Sequence, residues 1–463
     1  MTRAELIQNL GTVAKSGTTN YLSALKEGKI NLIGQFGVGF YSTFLVGRKV
    51  VVISKSNQDD QHIWISENAA SYTVEKDPEG NTLGRGTIVR IYLKEDALEF
   101  LSHKKVSKIV KRYSEFIDFP IYINNKKEVE EEVPVETSES EEEDLEVKEK
   151  TEEKTEKVKR TVWEWERINT NKAIWLREKD DIYDEDYIDF YKSVSKQSNP
   201  PMNWVHFNTE GEIVFTAILY IPNRAPFDFF NNYNTRKNEV KLYVRRVLIA
   251  EQHNDLIPKY LSFVVGVIDS NDISVNVNRE TLQQTKSFKV INQRVTKRIL
   301  DMISEIANWE DISEDEYEEE LEEDSEEIAL MDEEELNKKK EAAKEKLLKE
   351  RKERYEKFYE EFGKAIKLGI LEDKTNRKKL SSLSRWFSTR DPNSLVSFDE
   401  YIKSMKETQD QIYFFSGEDR KVLAKSPLVV GLVRKGYEVL LCDDPIDEYV
   451  FNHLREYEGK VIF

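Results

Sequence analysis

The sequence predicts a multidomain protein of the α+β and α/β classes. The chain has 463 residues, which is too long for one ordinary hydrophobic core. Its first part groups strand-like and helix-like segments in blocks, its last hundred residues alternate them, and two acidic segments separate the apolar regions. We therefore expect folded domains at 1–125, 161–308 and 351–463, an acidic disordered linker at 126–160 and an acidic insertion at 309–350.

Composition and charge restrict the possible functions. The 88 acidic and 70 basic residues give a net charge of −18, which argues against nucleic acid or an anionic membrane as the main partner. No apolar run reaches the length of a bilayer span, and no apolar leader follows Met1. A single cysteine, Cys442, and five scattered histidines predict neither an internal disulfide nor a metal site.

The first block predicts helices around an antiparallel sheet. Leu6, Ile7 and Leu10 recur at helical spacing before Gly11, and a second short helix is expected at 20–25. Four segments are rich in β-branched residues and alternate apolar with polar positions, at 49–54, 61–65, 71–74 and 86–93. Two helices are expected near 95–115, and residues 119–123 complete the block.

A glycine-rich stretch, Ile33 to Ser42, stands out within this block. Glycines at 34, 37 and 39 precede an apolar run with helical character. Such a backbone can bring its N–H groups against a phosphate, and a following helix directs its positive dipole end to the same place. The alternative is a tight buried turn whose glycines only relieve crowding under Phe36 and Phe40. The spacing is not that of a P-loop, so the residues alone leave both interpretations open.

The two acidic segments are expected to be solvated. Glu130–Glu132 and the run from Glu141 to Asp144 lie among Ser, Thr and Lys, with almost no large apolar residue. Like charges repel, and such a segment cannot bury enough surface to offset its ordering entropy. The second segment, at 310–335, continues into a charged helical stretch up to Glu361, which has no apolar seam for a coiled coil.

The region after Trp163 predicts further mixed structure. Strands are expected at 213–220, 241–249, 411–415 and 437–441, and helices at 257–263 and from 280 onward. The loop Ala225-Pro226-Phe227-Asp228-Phe229-Phe230 is expected either to expose aromatic rings to a binding partner or to form a packed corner. We favour packing, because exposing three phenylalanines is costly.

A second candidate site joins an extended segment to a helix at 274–284. Asn278 can cap the helix, and Arg279 and Gln283, four residues apart, share one helix face. A guanidinium matches phosphate oxygens in a bidentate fork, so an exposed Arg279 can complete a site on another domain. An ordinary surface arginine paired with Glu280 is the alternative, and sequence physics alone favours it.

Seven motifs occur in order along the chain and together resemble the heat-shock protein 90 chaperone family. The likeness covers nearly the whole chain outside the two acidic segments. The motifs are Asn9-Leu10-Gly11-Thr12, Ala14 to Thr18, Gly34 to Ser42, Gly84 to Thr87, Ala225 to Asp228, Tyr243 to Val247 and Asn278 to Gln284.

The resemblance implies a fold and an activity. Such proteins have a GHKL (Bergerat-type) ATP-binding α/β sandwich, here partial, then a charged linker and a middle domain of two α/β parts. They are ATP-dependent molecular chaperones that remodel unfolded or immature client proteins, work with co-chaperones and form homodimers. ATP and Mg are the implied cofactors, without nucleic acid or membrane insertion.

The resemblance also assigns site residues. Residues 11–33 form the lid, Asn9 and Lys15 line the nucleotide pocket, and Thr87 lies on the adenine side. Gly37, Val38, Gly39 and Phe40 present backbone N–H groups to the phosphates. Arg279 reaches the γ-phosphate, with Gln283 beside it.

Departures from the family limit these expectations. Family members carry the water-activating glutamate, the Mg-binding asparagine and the adenine-recognising aspartate before the position of Met1, and dimerisation helices after Phe463. Taken as written, the chain is therefore expected to be a poor ATPase. The alternatives are a nucleotide-independent protein that binds clients or co-chaperones, and another GHKL ATPase acting on DNA, which the acidic balance disfavours.

Three segments look most like the endoplasmic-reticulum member of the family. They are His62-Ile63-Trp64, Asp77 to Leu83 and Arg160 to Glu166. A short lid argues against this member. We expect the reticulum lumen, with the cytoplasm as the alternative.

Overall fold

The structure is a computed structural model that describes residues 1–12, 37–67, 70–134, 155–170, 173–211, 213–273, 286–310, 312–313 and 333–463. These residues form two compact units, Met1–Ala173 with Arg245–Leu248, and Ile174–Val244 with Ile249–Phe463. Both units mix helices with several sheets, so the predicted mixture of α and β structure is confirmed. None of the described helices is both long and apolar enough to cross a membrane.

The first unit begins with helix α1 (Arg3–Leu10). Thr2 caps it, because the Thr2 side chain accepts a bond from the Glu5 N–H while the Glu5 carboxylate accepts one from the Thr2 N–H. Leu6 and Leu10 are buried, as their helical spacing predicted. The predicted lid and the predicted helix at 20–25 lie outside the described residues, apart from the first two residues of the lid.

A four-stranded antiparallel sheet packs against this helix. Its order is β3-β2-β1-β4, with strands β1 (Gly47–Lys55), β2 (His62–Ser66), β3 (Thr73–Lys76) and β4 (Gly86–Leu93). Val50, Val52 and Trp64 form a core with Leu6 and Leu10. The four predicted strands and their antiparallel pairing are therefore confirmed. A 3₁₀ helix (Glu95–Leu101) and a helix (His103–Ser114) follow, as expected.

The expectation of a disordered linker is wrong at its two ends. Strands β5 (Tyr122–Pro134) and β6 (Thr155–Arg167) form a two-stranded antiparallel ribbon. The register places Glu130 opposite Lys159 and Glu132 opposite Lys157, so residue types of opposite charge occupy paired positions. Composition alone missed this pairing because it treats each charged run separately. Residues 135–154 lie outside the described part of the chain.

The second unit contains a five-stranded sheet of order β10-β9-β11-β8-β7, apart from Val247 and Leu248 of β10, which are grouped with the first unit. Its strands are β7 (Asn203–Thr209), β8 (Phe215–Ile221), β9 (Glu239–Val244), β10 (Val247–Ala250) and β11 (Val265–Ser270). Strand β11 runs antiparallel to β8 and parallel to β9. Helices precede and follow the sheet, at Asp184–Ser195 and Lys286–Ala307. A short 3₁₀ helix, Lys259–Leu261, replaces the helix expected at 257–263.

One predicted strand in this sheet is two strands. The segment 241–249 turns back at Arg245 and Arg246, whose φ angles are 51° and 65°. Two consecutive residues with positive φ are typical of a tight hairpin turn, which usually contains Asn or Gly. Because arginine gives no turn signal, the sequence predicted a continuous strand.

A helix of 40 residues, Glu333–Glu372, follows in this unit. From residue 337 to 354, where its side chains are described, none is buried, whereas Phe358, Phe362, Ile366 and Ile370 lie in the core. The predicted domain boundary at 350 therefore falls inside a continuous helix.

The remaining chain alternates short helices and strands, as expected. Helices lie at Arg377–Ser382, Phe398–Ser404, Arg420–Leu423, Pro427–Arg434 and Pro445–His453. Strands β12 (Trp386–Ser388), β13 (Leu395–Val396), β14 (Gln411–Ile412), β15 (Phe414–Ser416), β16 (Leu440–Cys442), β17 (Glu456–Tyr457) and β18 (Lys460–Ile462) form two small sheets, of order β13-β12-β16-β15 and β14-β18-β17.

Candidate nucleotide site

The glycine-rich stretch forms a turn that opens directly into a helical run. Gly37 has a φ of 63°, a conformation that favours glycine. A 3₁₀ helix, Gly39–Ser42, begins two residues later and continues into the helix Thr43–Val46. Gly39 is exposed, and a Cβ built on it would meet no atom of the described residues within 4 Å. Crowding by the described residues therefore does not explain glycine at position 39, while Phe36 lies outside them.

Backbone donors at this turn have no protein acceptor. Among the described residues, the N–H groups of Val38, Gly39 and Phe40 take part in no hydrogen bond, whereas the Tyr41 N–H donates to the Val38 carbonyl at 3.0 Å. The first N–H groups of a helical run lack intrahelical acceptors, and they carry the positive end of its dipole. The turn can therefore receive an anionic group.

Aromatic rings hold the turn on the sheet. The Phe40 ring packs edge-on against Trp64 of β2, with centroids 5.4 Å apart, and Trp64 stacks on Tyr72 at 5.7 Å. The Tyr41 hydroxyl donates to the Leu10 carbonyl at 2.7 Å, and burial raises the pKa of this phenol. These contacts fix the turn beside the C-terminal end of α1, where Asn9 lies.

The structure places Thr87 at the other end of α1. The Thr87 hydroxyl lies 2.8 Å from the Ser54 hydroxyl, and the Met1 amino group donates to Ser54 at 2.7 Å. The eight residues of α1 rise by about 12 Å. Tyr41, which follows the turn directly, thus contacts the C-terminal end of α1, whereas Thr87 is linked through Ser54 to the N-terminal end.

Several predicted site residues lie outside the described part of the chain. They are Lys15, Arg279 and Gln283, together with Asn278 and residues 33–36 of the glycine stretch. The described residues contain no group of three or more His, Cys, Asp or Glu side chains placed to hold a metal ion.

The sequence did not identify the aromatic support of the turn. Trp64 occupies a predicted strand, but no pattern shows that the same ring contacts both Phe40 and Tyr72. The glycine at position 11, within the motif 9–12, could have indicated a close contact at the end of α1. A Cβ at Gly11 would lie 2.4 Å from the Tyr72 hydroxyl and 2.5 Å from the Ile7 carbonyl oxygen, so glycine is required where α1 ends against that ring.

Comparison with known proteins decides the family. A family model described as Hsp90 protein matches residues 99–463. The chain belongs to the Hsp90 family. Three curated relatives, each named endoplasmin homolog, come from Arabidopsis thaliana, Hordeum vulgare and Caenorhabditis elegans and are 45%, 44% and 42% identical to it.

Each of these alignments covers 99% of this chain and 56% of the relative. This Hsp90-family chain thus spans little more than half the length of the curated relatives it matches. The predicted family is confirmed, and the relatives carry the name of the endoplasmic-reticulum member to which the sequence motifs pointed.

Proposed function

We propose that the protein containing this chain is an ATP-dependent molecular chaperone. It binds and remodels unfolded or immature client proteins, and ATP binding and hydrolysis drive this cycle. Membership of the Hsp90 family and the endoplasmin relatives support a chaperone role.

One observation carries the nucleotide-binding part of the proposal. Within the part of the chain that the structure describes, Gly39 leaves open space at the start of a helical run whose first N–H groups have no protein acceptor. An open glycine with available N–H groups fits the close approach of a phosphate oxygen, because no Cβ stands between ligand and backbone. In this proposal Gly37, Val38, Gly39 and Phe40 bind the ATP phosphates through their backbone.

The remaining roles follow from the family resemblance. Asn9 and Lys15 line the pocket, Thr87 lies on the adenine side, and residues 11–33 form the lid. This domain, 1–125, is a partial GHKL fold, and residues 161–308 and 351–463 form the two α/β parts of a middle domain.

Arg279 acts in hydrolysis. It reaches the γ-phosphate, with Gln283 beside it, and its permanent positive charge neutralises the charge that spreads over the phosphoryl oxygens in the transition state. Bound Mg would neutralise the same phosphates. The resemblance places its protein ligand outside this chain.

The proposed partners are client proteins and co-chaperones, and the proposed assembly is a homodimer of the longer protein. Neither nucleic acid nor insertion into a membrane forms part of the proposal. The endoplasmin relatives favour the endoplasmic-reticulum lumen as its compartment, ahead of the cytoplasm.

A client-binding surface has a structural candidate in the loop 225–230. The expectation of a packed corner is right for Phe229, which is buried, but wrong for Phe227, whose side chain is fully exposed. The loop is anchored on both sides of Phe227, since the Ala225 N–H donates to Glu361 at 2.8 Å and Phe229 packs against Phe263. A rigidly held, exposed phenylalanine also suits the second candidate function, nucleotide-independent client binding.

Substitution of Gly39 by alanine tests the nucleotide site directly. The new Cβ meets no protein atom, so the folded state is expected to keep its stability, while the methyl group occupies the space of the bound phosphate. We expect ADP affinity, measured by calorimetry on the full-length protein, to fall about tenfold or more.

Gly431→Ala is the matched control. Gly431 also lies in a helix with no atom within 4 Å of its Cβ position, so it reports the effect of adding a methyl group away from the site. Unchanged ADP affinity in Gly39→Ala, with both variants folded, would refute the assignment of this turn.

A further inference from the structure

The ribbon formed by β5 and β6 has an unusually exposed aromatic face. The register pairs Tyr122 with Arg167, Asn124 with Trp165 and Lys126 with Trp163. Because directly paired residues point to the same side of a sheet, these six residues share one side of the ribbon, here named the aromatic face. Tyr122, Trp163 and Trp165 on this face are 52%, 64% and 66% exposed.

Within residues 122–126 and 163–167, the basic and acidic residues lie on different sides of the ribbon, although the register places Glu128, two positions after Lys126, on the same side as Lys126. Lys126 and Arg167 are the charged residues of the aromatic face, and both are exposed. The acidic residues of the same segment, Glu164 and Glu166, alternate with the tryptophans and therefore lie on the opposite side. In a chain with a net charge of −18, the aromatic face is locally basic.

The ribbon also has open strand edges. Its sheet contains only β5 and β6 among the described residues, so each strand has one edge without a neighbouring strand. A two-stranded ribbon is marginally stable by itself, and an unpaired edge is a template for a further strand. Aromatic rings, positive charges and strand edges that no other described strand covers thus occur together on this ribbon.

We propose that the aromatic face is a docking surface for an extended polypeptide segment that carries acidic and apolar side chains. The segment adds to a ribbon edge as a strand. Alternate apolar side chains cover Trp163 and Trp165, and carboxylates pair with Lys126 and Arg167. This surface shares no residue with the glycine turn, so the inference does not depend on the proposed nucleotide site.

A peptide fits this surface better than a single-stranded nucleic acid. Exposed aromatic rings beside basic residues also bind single strands, through base stacking. However, a phosphate backbone cannot form strand-like hydrogen bonds with a ribbon edge, and its dense negative charge is repelled by a protein of net charge −18. An acidic peptide makes both kinds of contact at a lower charge density.

Fluorescence anisotropy with labelled probes on the full-length protein tests the proposal. The probe is a short peptide in which aspartate alternates with phenylalanine and leucine. Comparison probes carry lysine in place of aspartate, or N-methyl groups on the backbone, and an oligothymidine represents nucleic acid. We expect the acidic peptide to bind best, with an affinity that falls as salt is raised and on N-methylation.

Variants locate the binding on the ribbon. Trp163→Ser with Trp165→Ser, and separately Lys126→Glu with Arg167→Glu, are each expected to weaken binding about tenfold or more. Val162→Ser, at an exposed position on the opposite side, serves as the control and should bind as the parent does. The charge-reversal pair keeps the test valid if the serine variants fold poorly.

Three outcomes would overturn the proposal. They are equal binding by the charge-reversed variant, stronger binding of the lysine probe or the oligothymidine, and no binding of the acidic peptide. ADP affinity measured on the same variants should not change, which separates failure at this surface from failure at the nucleotide site.

Discussion

Replacement of Asp447 by alanine tests how a buried ion pair stabilises the second unit. Lys367, on the helix Glu333–Glu372, places its Nζ 2.5 Å from the Asp447 Oδ1, and these side chains are 9% and 1% exposed. The Trp386 indole N–H donates to the same oxygen at 3.1 Å. Burial alone would lower the pKa of Lys367, but its interactions with Tyr359 and with the Asp447 carboxylate outweigh it and hold this pKa above its ordinary value.

The loss of folding stability follows from the buried polar groups that the substitution leaves without a partner. Asp447→Ala leaves a buried ammonium group without its counter-ion and a buried indole N–H without an acceptor. Removing one partner of a buried pair costs about 3–5 kcal/mol. Asp447→Asn keeps an acceptor for Trp386 and should cost less. Lys367→Met combined with Asp447→Leu removes both charges and should be much less destabilising than Asp447→Ala.

Urea unfolding, followed together with hydrogen exchange in the helix Pro445–His453, measures this order. The control is Glu458→Ala, which breaks an ion pair with Lys378 of similar length, 2.8 Å, between side chains that are 47% and 79% exposed. An exposed pair contributes at most about 1 kcal/mol. An Asp447→Ala variant no less stable than Glu458→Ala would refute the reasoning.

Three further predictions concern other sites. Arg279→Ala in the full-length protein should lower the ATP turnover rate in single-turnover kinetics while ADP affinity stays nearly unchanged, because the charge acts on the transition state; equal turnover would contradict its role. Burial lowers the pKa of His206, so the stability it supports is complete above its unfolded pKa of about 6.5 and is lost as pH falls toward the folded value. The urea midpoint of His206→Gln should therefore fall less than that of the parent between about pH 7.5 and pH 5.5. An equal fall in both proteins would show that His206 does not contribute to the pH dependence of stability. Phe227→Ser should leave the melting temperature nearly unchanged, because the ring is fully exposed, but it should weaken suppression of client aggregation. Suppression equal to that of the parent would show that the loop 225–230 does not bind clients.

Local patterns predicted most of the first unit. Alternation and β-branched content located all four strands of its sheet, and strand β4 begins and ends where expected, at Gly86 and Leu93. Helical spacing likewise predicted α1 and its buried Leu6 and Leu10. These features depend on residues close together in the chain, which is what periodicity measures.

Long-range pairings were not predictable in the same way. Lys367 and Asp447 are 80 positions apart, and no pattern links them. His206, which lies against the hydroxyl of Tyr187 and the carbonyl of Trp175, was noted only as a scattered histidine.

At the candidate site, too, local features were predictable from the sequence and long-range contacts were not. Glycine spacing left a phosphate-binding turn and a tight buried turn both open, and only the structure shows that, among the described residues, Gly39 has no close neighbour and its N–H group has no protein acceptor. The packing of Phe40 on Trp64 depends on tertiary contacts that one sequence does not encode locally. Family resemblance supplied the roles of Lys15 and Arg279, which lie outside the described residues.

The most direct test of the chaperone proposal measures client release by the full-length protein. An unfolded, labelled client is bound without nucleotide, and its release rate is recorded with ATP, with ADP and with neither, for the parent and for Gly39→Ala. We predict that ATP changes the release rate of the parent and has little effect on Gly39→Ala, while both bind client equally without nucleotide. Client binding and release that are identical with and without ATP in the parent would contradict the account and favour a nucleotide-independent binding protein.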